Sequence, residues 1–255
     1  MAAEQLKDET KVVDASLAEG DAALGADHSD NIAGLVERIP EMGAGTEIIF
    51  VDDKSTDATA ERVRQAIAEQ PNHNIRLIEG PGQGKGAACR AGFAAATGNV
   101  FMILDADMTV MPEELPAFFD ALTSGQGEFI NGSRLVYPLA DQAMRPLNIL
   151  GNKFFASVFS LLLEQRIRDT LCGTKVVWRH DYEKILATRS YFNSCDVWGD
   201  YDWIFGAAKN NLKIVELPVH YRERTAGATK MTRRLRNAWI MLRMCGIALR
   251  KLRWL

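Results

Sequence analysis

Five apolar residues, Val100-Phe101-Met102-Ile103-Leu104, run straight into Asp105-Ala106-Asp107. An apolar run with no polar alternation reads as a strand buried on both faces, as in mostly parallel sheets covered by helices. Ligands of open α/β sheets gather at the carboxyl ends of strands, so these two acids stand where a ligand would be bound. Two carboxylates so close together are costly to hold unless a cation sits between them. Hard oxygen ligands suit Mg²⁺ or Mn²⁺, and Mg²⁺ typically takes one or two carboxylates plus substrate phosphates. The other reading is a strand end followed by an acidic helix cap. The spacing by itself leaves both open.

A chain of 255 residues suffices for one large α/β domain with a sizeable core. The net charge of -3 hides an asymmetry: the first sixty residues are strongly acidic, whereas ten Lys or Arg and one acid, Glu223, follow from Arg222 onward. A basic tail on an acidic body points to an anionic partner (phosphate groups, a membrane surface or nucleic acid), or to a solvated basic helix. Cys89, Cys172, Cys195 and Cys245 form no CxxC pair, which fits a reduced cytoplasmic compartment and argues against structural zinc. The first ten residues contain no apolar signal region, an argument against secretion. No stretch is long and apolar enough to span a bilayer.

Residues 1–30 are expected to be poorly ordered or weakly helical, with Lys11–Asp14 the only hint of a strand. A helix from Ser29 or Asp30 carries Ile32, Leu35, Val36 and Ile39 on one face. Strands are expected at 46–51, 74–79, 99–104, 129–134, 173–178 and 213–221. Helices are expected near 57–69, 86–97, from Pro112 onward, and over 147–164, 181–187, 200–210 and 231–251. The early alternation of strand, helix and strand predicts a parallel sheet with crossover helices.

Three acidic clusters end strands or open helices: Asp52/Asp53, Asp105/Asp107 and Asp200/Asp202. Together they suggest one acidic cleft along a sheet edge. Binding anions there would need a metal and cations. Candidate cations are Lys85 in the glycine turn 80–86, Arg134 after its strand, and Arg222, Arg224 and Lys230 in a late loop. The turn is not a Walker A loop, because no Ser or Thr follows the lysine. It reads either as a tight turn before a helix or as backbone N–H groups and a lysine beside a phosphate. Arg224-Thr-Ala-Gly-Ala-Thr-Lys230 reads as a phosphate clamp or a plain surface loop. The four histidines are scattered, and His220 reads as a packing or hydrogen-bonding residue.

The blocks EIIFVDDKSTDATAERV (47–63), GKGAACRAGFAAATGNVFMILDADM (84–108), NGSRLVYP (131–138), DTLCGTKVVWR (169–179) and KIVELPVHYRERTAGATK (213–230) resemble family 2 glycosyltransferases of the GT-A fold. Within that family they are most similar to the dolichol-phosphate mannosyltransferase-like branch. The resemblance covers about residues 30–240. It implies a Rossmann-like, mixed but mostly parallel sheet flanked by helices over 31–230, followed by a basic amphipathic C-terminal helix over 231–255.

The resemblance also implies roles. Asp52 and Asp53 would contact the nucleoside, Asp53 at the base. Asp105 would lie by the ribose and the metal, and Asp107 would coordinate Mg²⁺ or Mn²⁺ at the diphosphate. Lys85 joins the donor-binding set. Asp202 would act as general base or position the acceptor, with Asp200 as the fallback. Arg134, Arg224 and Lys230 would hold acceptor or donor phosphate. The implied reaction is a single inverting displacement from a UDP- or GDP-linked sugar to a polyprenyl-phosphate or other membrane-associated acceptor. The protein would then sit peripherally at the cytoplasmic face of a membrane, with no nucleic-acid partner.

One departure stands out. The family opens with a VSVVIPxxNE-type strand walling the nucleoside pocket, whereas Gly25-Ala-Asp-His-Ser-Asp30 stands where Pro-x-x-Asn-Glu should be. One alternative is therefore a catalytically impaired nucleotide-sugar-fold protein serving as a membrane-bound binding or scaffold subunit. Another is a nucleotidyltransferase, which also uses a metal on a Rossmann-like sheet but usually needs a Gly-rich basic loop straight after its first strand, and this sequence lacks one there.

Overall fold

The computed structural model describes residues 16–18, 29–55, 57–138, 146–192, 199–223 and 234–253. The strands are β1 (Ser16–Ala18), β2 (Glu47–Asp53), β3 (Asn74–Glu79), β4 (Val100–Ile103), β5 (Phe129–Ser133), β6 (Lys175–Trp178) and β7 (Ile214–Pro218). The helices are α1 (Ser29–Arg38), α2 (Thr59–Glu69), α3 (Lys85–Ala95), α4 (Leu115–Thr123), α5 (Pro146–Leu163), α6 (Arg179–Thr188), α7 (Asp200–Lys209) and α8 (Arg234–Arg253). Short 3₁₀ turns at Pro112–Glu114 and Arg189–Phe192 lead into α4 and out of α6.

Strands β1-β2-β3 form a parallel sheet, and β4-β6-β5-β7 form a second in which β6 runs antiparallel to both neighbours. Three of the five strand pairs are parallel, so the mixed, mostly parallel arrangement expected from the sequence is present. The alternation of side chains along each strand joins the two sheets into one layer. On one face Ile49, Val51, Phe101, Ile103, Phe129 and Val177 share a core with α3, α5, α7 and α8. On the other, Ile48, Phe50, Val100, Met102, Ile130 and Val176 pack with α1, α2 and α4. All four residues of β4 are buried, as its unbroken apolar run requires.

The N-terminal segment corrects one expectation. Ser16–Ala18, within a stretch read as poorly ordered or helical, is a strand pairing parallel with Val51–Asp53. Lys11–Asp14, the stretch read as a possible strand, lies outside the described residues. A short strand therefore lies on the side of β2 away from β3, and among the described residues no ladder continues from β1 to β4. The two halves are held by the shared cores and by Asn31 at the start of α1, whose Nδ2 donates to the Ala106 carbonyl at 3.0 Å.

Candidate active site

The carboxyl ends of β2 and β4 and the starts of α3 and α7 converge. Lys85, the first residue of α3, donates from Nζ to Asp105 Oδ1 at 2.5 Å. Burial works against the Lys85 charge, but Asp105 and then Asp200 outweigh it, and the ammonium is held well above the usual lysine range. The α3 and α7 helices meet backbone to backbone: a β-carbon on Gly86 would lie 2.9 Å from Gly199. That contact brings Asp200 into the field of Lys85. Lys175, at the start of β6, donates from Nζ to Asp200 Oδ1 at 2.5 Å and also to the Cys172 carbonyl. Between these groups lies Gly173, where a β-carbon would stand 2.0 Å from Asp105 Oδ2 and 2.7 Å from Lys85 Nζ. The result is a row of alternating charge, Asp105–Lys85–Asp200–Lys175, with Gly173 packed against Asp105 and Lys85 where no β-carbon would fit.

Asp107 turns back on its own loop. Its Oδ1 accepts from Thr109 N at 3.1 Å and from Thr109 Oγ1 at 2.8 Å, while Met108 sits in the left-handed region at φ 57°. Arg222 N donates to the Thr109 carbonyl at 2.9 Å. The described start of the late basic loop is thus fastened beside this aspartate. Arg224 and Lys230 lie outside the described residues.

Among the described residues no group of three or more His, Cys, Asp or Glu is arranged to hold a metal by itself. The donor set still fits a hard divalent cation held in the usual magnesium manner, by one or two carboxylates with phosphate oxygens completing the shell. The glycine at position 173 lets the Asp105 carboxylate and Lys85 Nζ occupy the space that a side chain there would take.

The other expected residues are placed as follows. Asp52 is half-buried, and its Oδ1 accepts from Ser55 N at 2.9 Å. Asp53 is fully buried, and its two oxygens accept from Gly82 N at 2.5 Å and Gly84 N at 2.8 Å. Asp53 therefore holds the glycine turn that presents Lys85. Arg134 forms a bidentate pair with Asp169, Nε to Oδ2 at 2.7 Å and Nη2 to Oδ1 at 2.8 Å. Burial raises the Asp169 carboxyl, yet the Arg134 guanidinium overrides it and holds the group at about 2. Asp200 and Asp202, two residues apart on a helix, point in nearly opposite directions. Asp200 faces Lys175, whereas Asp202 Oδ2 accepts from Arg189 Nε at 3.0 Å. Burial pushes the Asp202 carboxyl up against the pull of Arg189. His220 stacks on Tyr137 with ring centroids 4.1 Å apart, a packing role as the sequence suggested.

Gly173, Lys175, Asp169 and Arg189 carry no assigned role in the sequence reading. A signal existed for Lys175: a lysine opening the apolar strand Lys-Val-Val-Trp must be exposed or paired, and its side chain is 1% exposed.

Comparison with known proteins fits this geometry. The family model "Glycosyl transferase family 2" matches residues 28–186. The dolichyl-phosphate hexose transferase of Haloferax volcanii is 31% identical over 196 residues, 77% of each chain. The dolichyl-phosphate beta-glucosyltransferase of Dictyostelium discoideum is 30% identical over 185 residues, 69% of this chain and 55% of that one, so the match spans little more than half of that relative. In three dimensions the chain is similar to mannosyl-3-phosphoglycerate synthase from Rubrobacter xylanophilus (TM-score 0.64, 15% identity, 99% of this chain and 80% of that one). It is also similar to glucosyl-3-phosphoglycerate synthase from Mycobacterium tuberculosis in complex with Mn²⁺, UDP and glucosyl-3-phosphoglycerate (TM-score 0.58, 16% identity, 98% and 82%). These likenesses establish the GT-A fold. With the family match covering well over half of its length, the chain belongs to glycosyl transferase family 2.

Proposed function

We propose that this transferase moves a sugar from a nucleotide-sugar donor to a polyprenyl-phosphate acceptor by a single inverting displacement. The observation that carries this is the Asp105–Lys85–Asp200 row at the strand ends, with Gly173 packed closely against it. The relatives named as dolichyl-phosphate sugar transferases supply the acceptor class.

Asp52 would contact the nucleoside, and Asp53, by fixing the glycine turn, sets where Lys85 stands. The Lys85 ammonium, paired with Asp105, would face the negative charge of the departing nucleoside diphosphate, a preorganised stabilisation of the kind that dominates many enzymes. Asp105 and Asp107 would hold Mg²⁺ or Mn²⁺. When bound, that ion would supply Lewis-acid neutralisation of the diphosphate. An acceptor phosphate oxygen attacks the anomeric carbon as the bond to the diphosphate breaks, and the electron pair leaves with the nucleoside diphosphate. A phosphate monoester needs little base catalysis, so the nearby carboxylate mainly orients it. We assign that carboxylate to Asp200, on the Lys85 side, with Asp202 bracing α7 through Arg189. Arg134, committed to Asp169, orders the adjoining loop, leaving Arg224 and Lys230 as candidates for the acceptor phosphate.

A membrane surface is the proposed setting. Among the described residues no helix is long and apolar enough to cross a bilayer. However, α5 leaves Leu147, Leu150, Phe154 and Leu161 exposed, and α8 leaves Trp239, Leu242 and Leu249 exposed. Apolar outer faces beside the exposed Arg236, Arg243 and Arg250 suit helices lying in an anionic interface.

The test is turnover of a panel of nucleotide sugars with a short-chain polyprenyl phosphate, with and without Mn²⁺. Metal-dependent release of nucleoside diphosphate matched by glycosylated lipid supports the proposal. Donor binding without turnover of any pair favours the non-catalytic alternative suggested by the three-residue β1.

A further inference from the structure

We propose that Lys175 is a positioning residue for the transfer, setting both Asp200 and the Gly173 wall against the Lys85–Asp105 pair. The proposal rests on the transferase reading and adds a residue to it.

Lys175 sits in mid-sheet, paired with Ile103 of β4 and Asn131 of β5. Its side chain is 1% exposed, and the next two residues, Val176 and Val177, are fully buried. An ammonium in such surroundings is costly unless paired and hydrogen-bonded. Here it grips two things. One is Asp200, the first residue of α7. The other is the carbonyl of Cys172, the residue before Gly173. Gly173 lies against the Asp105 carboxylate and Lys85 Nζ. A single buried cation therefore ties β6 to both walls that flank the Lys85–Asp105 pair, and β4, its neighbour, runs directly into Asp105. Stability alone does not account for this choice. A buried ion pair replaced by apolar side chains of similar volume is often neutral or more stable, and a packed Met–Leu contact would fill the same space. What the apolar contact cannot do is anchor the Asp200 side chain at the head of α7 and hold the Cys172–Gly173 backbone at one height.

The experiment is a double-mutant cycle on the full chain with Lys175→Met, Asp200→Asn and the combination, reading melting temperature, kcat and donor KM per folded molecule. Lys175→Met is expected to lower kcat by about 100-fold, the scale of a misplacement near 1 Å, with donor KM little changed. The double variant, with neither charge buried alone, is expected to melt near the wild-type temperature while turning over no more slowly than Asp200→Asn. A merely structural lysine would give a different pattern: either kcat per folded molecule unchanged by Lys175→Met, or the same loss in both backgrounds. Either result overturns the positioning role. A wild-type chain that transfers no sugar from any donor overturns the transferase reading and this proposal with it, whereas wild-type turnover with additive effects overturns the proposal alone.

Discussion

Gly173 lacks a side chain because its neighbours occupy the space: Asp105 Oδ2 would lie 2.0 Å from a β-carbon there and Lys85 Nζ 2.7 Å. Gly173→Ala can be accommodated only by swinging the Asp105 carboxylate or the lysine end aside, since both are side-chain termini. The chain should still fold, with a melting temperature lowered by less than about 4 °C, while kcat/KM falls by about 10- to 100-fold. Thermal melting and turnover of the same preparation check this, and unchanged kcat/KM would contradict it. The sequence made Asp105, Asp107 and Lys85 legible, because two acids after an apolar run and a lysine in a glycine turn are local signals. It could not show that Gly173 meets Asp105, a contact made only after a chain separation of nearly seventy residues. Nor could it separate Asp200 from Asp202, whose roles depend on which partner each helix face meets.

At the scale of elements, the Arg134–Asp169 pair joins the end of β5 to the loop before β6, and Asn152 of α5 adds a hydrogen bond from Nδ2 to Asp169 Oδ1 at 2.7 Å. Arg134→Met leaves a buried carboxylate without its cation and should cost about 3–5 kcal/mol near neutral pH. The sign of the pH dependence follows from the direction of the shift. Asp169 titrates at about 2 in the folded chain, below an unfolded carboxyl near 3.8. The wild type therefore keeps this stabilisation above about pH 4 and loses about 2 kcal/mol of it as pH falls through 2. Denaturant titrations of both proteins from pH 7 to pH 2 should converge toward the acid end, and a constant gap would contradict the assignment. The strands with strong apolar runs were legible to within a residue or two, and β3 matched its expected span. β1 was not, because a three-residue strand with one large apolar side chain, Leu17, carries almost no pattern and forms only by pairing with the end of β2. The antiparallel course of β6 was also hidden, since strand direction is set by where the connection returns rather than by composition.

Across the whole molecule, Asp52 and Asp53 stand at the end of β2 and Asp105 just past β4, whereas the basic residues Arg236, Arg243 and Arg250 of α8 share its outer face with Trp239, 69% exposed. Both α5 and α8 bury their inner faces in the core that holds Tyr201 and Trp203, the neighbours of Asp200 and Asp202. A membrane docked on these outer faces would therefore lie across helices that pack in the same core as α7. The protein should pellet with anionic vesicles and be released by high salt. Replacing Arg236, Arg243 and Arg250 by Gln should weaken partitioning by about two orders of magnitude, at about 1 kcal/mol per charge. Binding that persists at high salt in the triple variant would contradict this. The central claim, that the strand-end acids form a donor site working with a divalent ion, is tested most directly by calorimetric titration with UDP and GDP, with and without Mn²⁺, on the wild type and on Asp107→Ala. Mn²⁺-dependent binding of one nucleotide, lost in Asp107→Ala, is the predicted result. No binding of either nucleotide to the wild type, or equal binding by the variant, would contradict it.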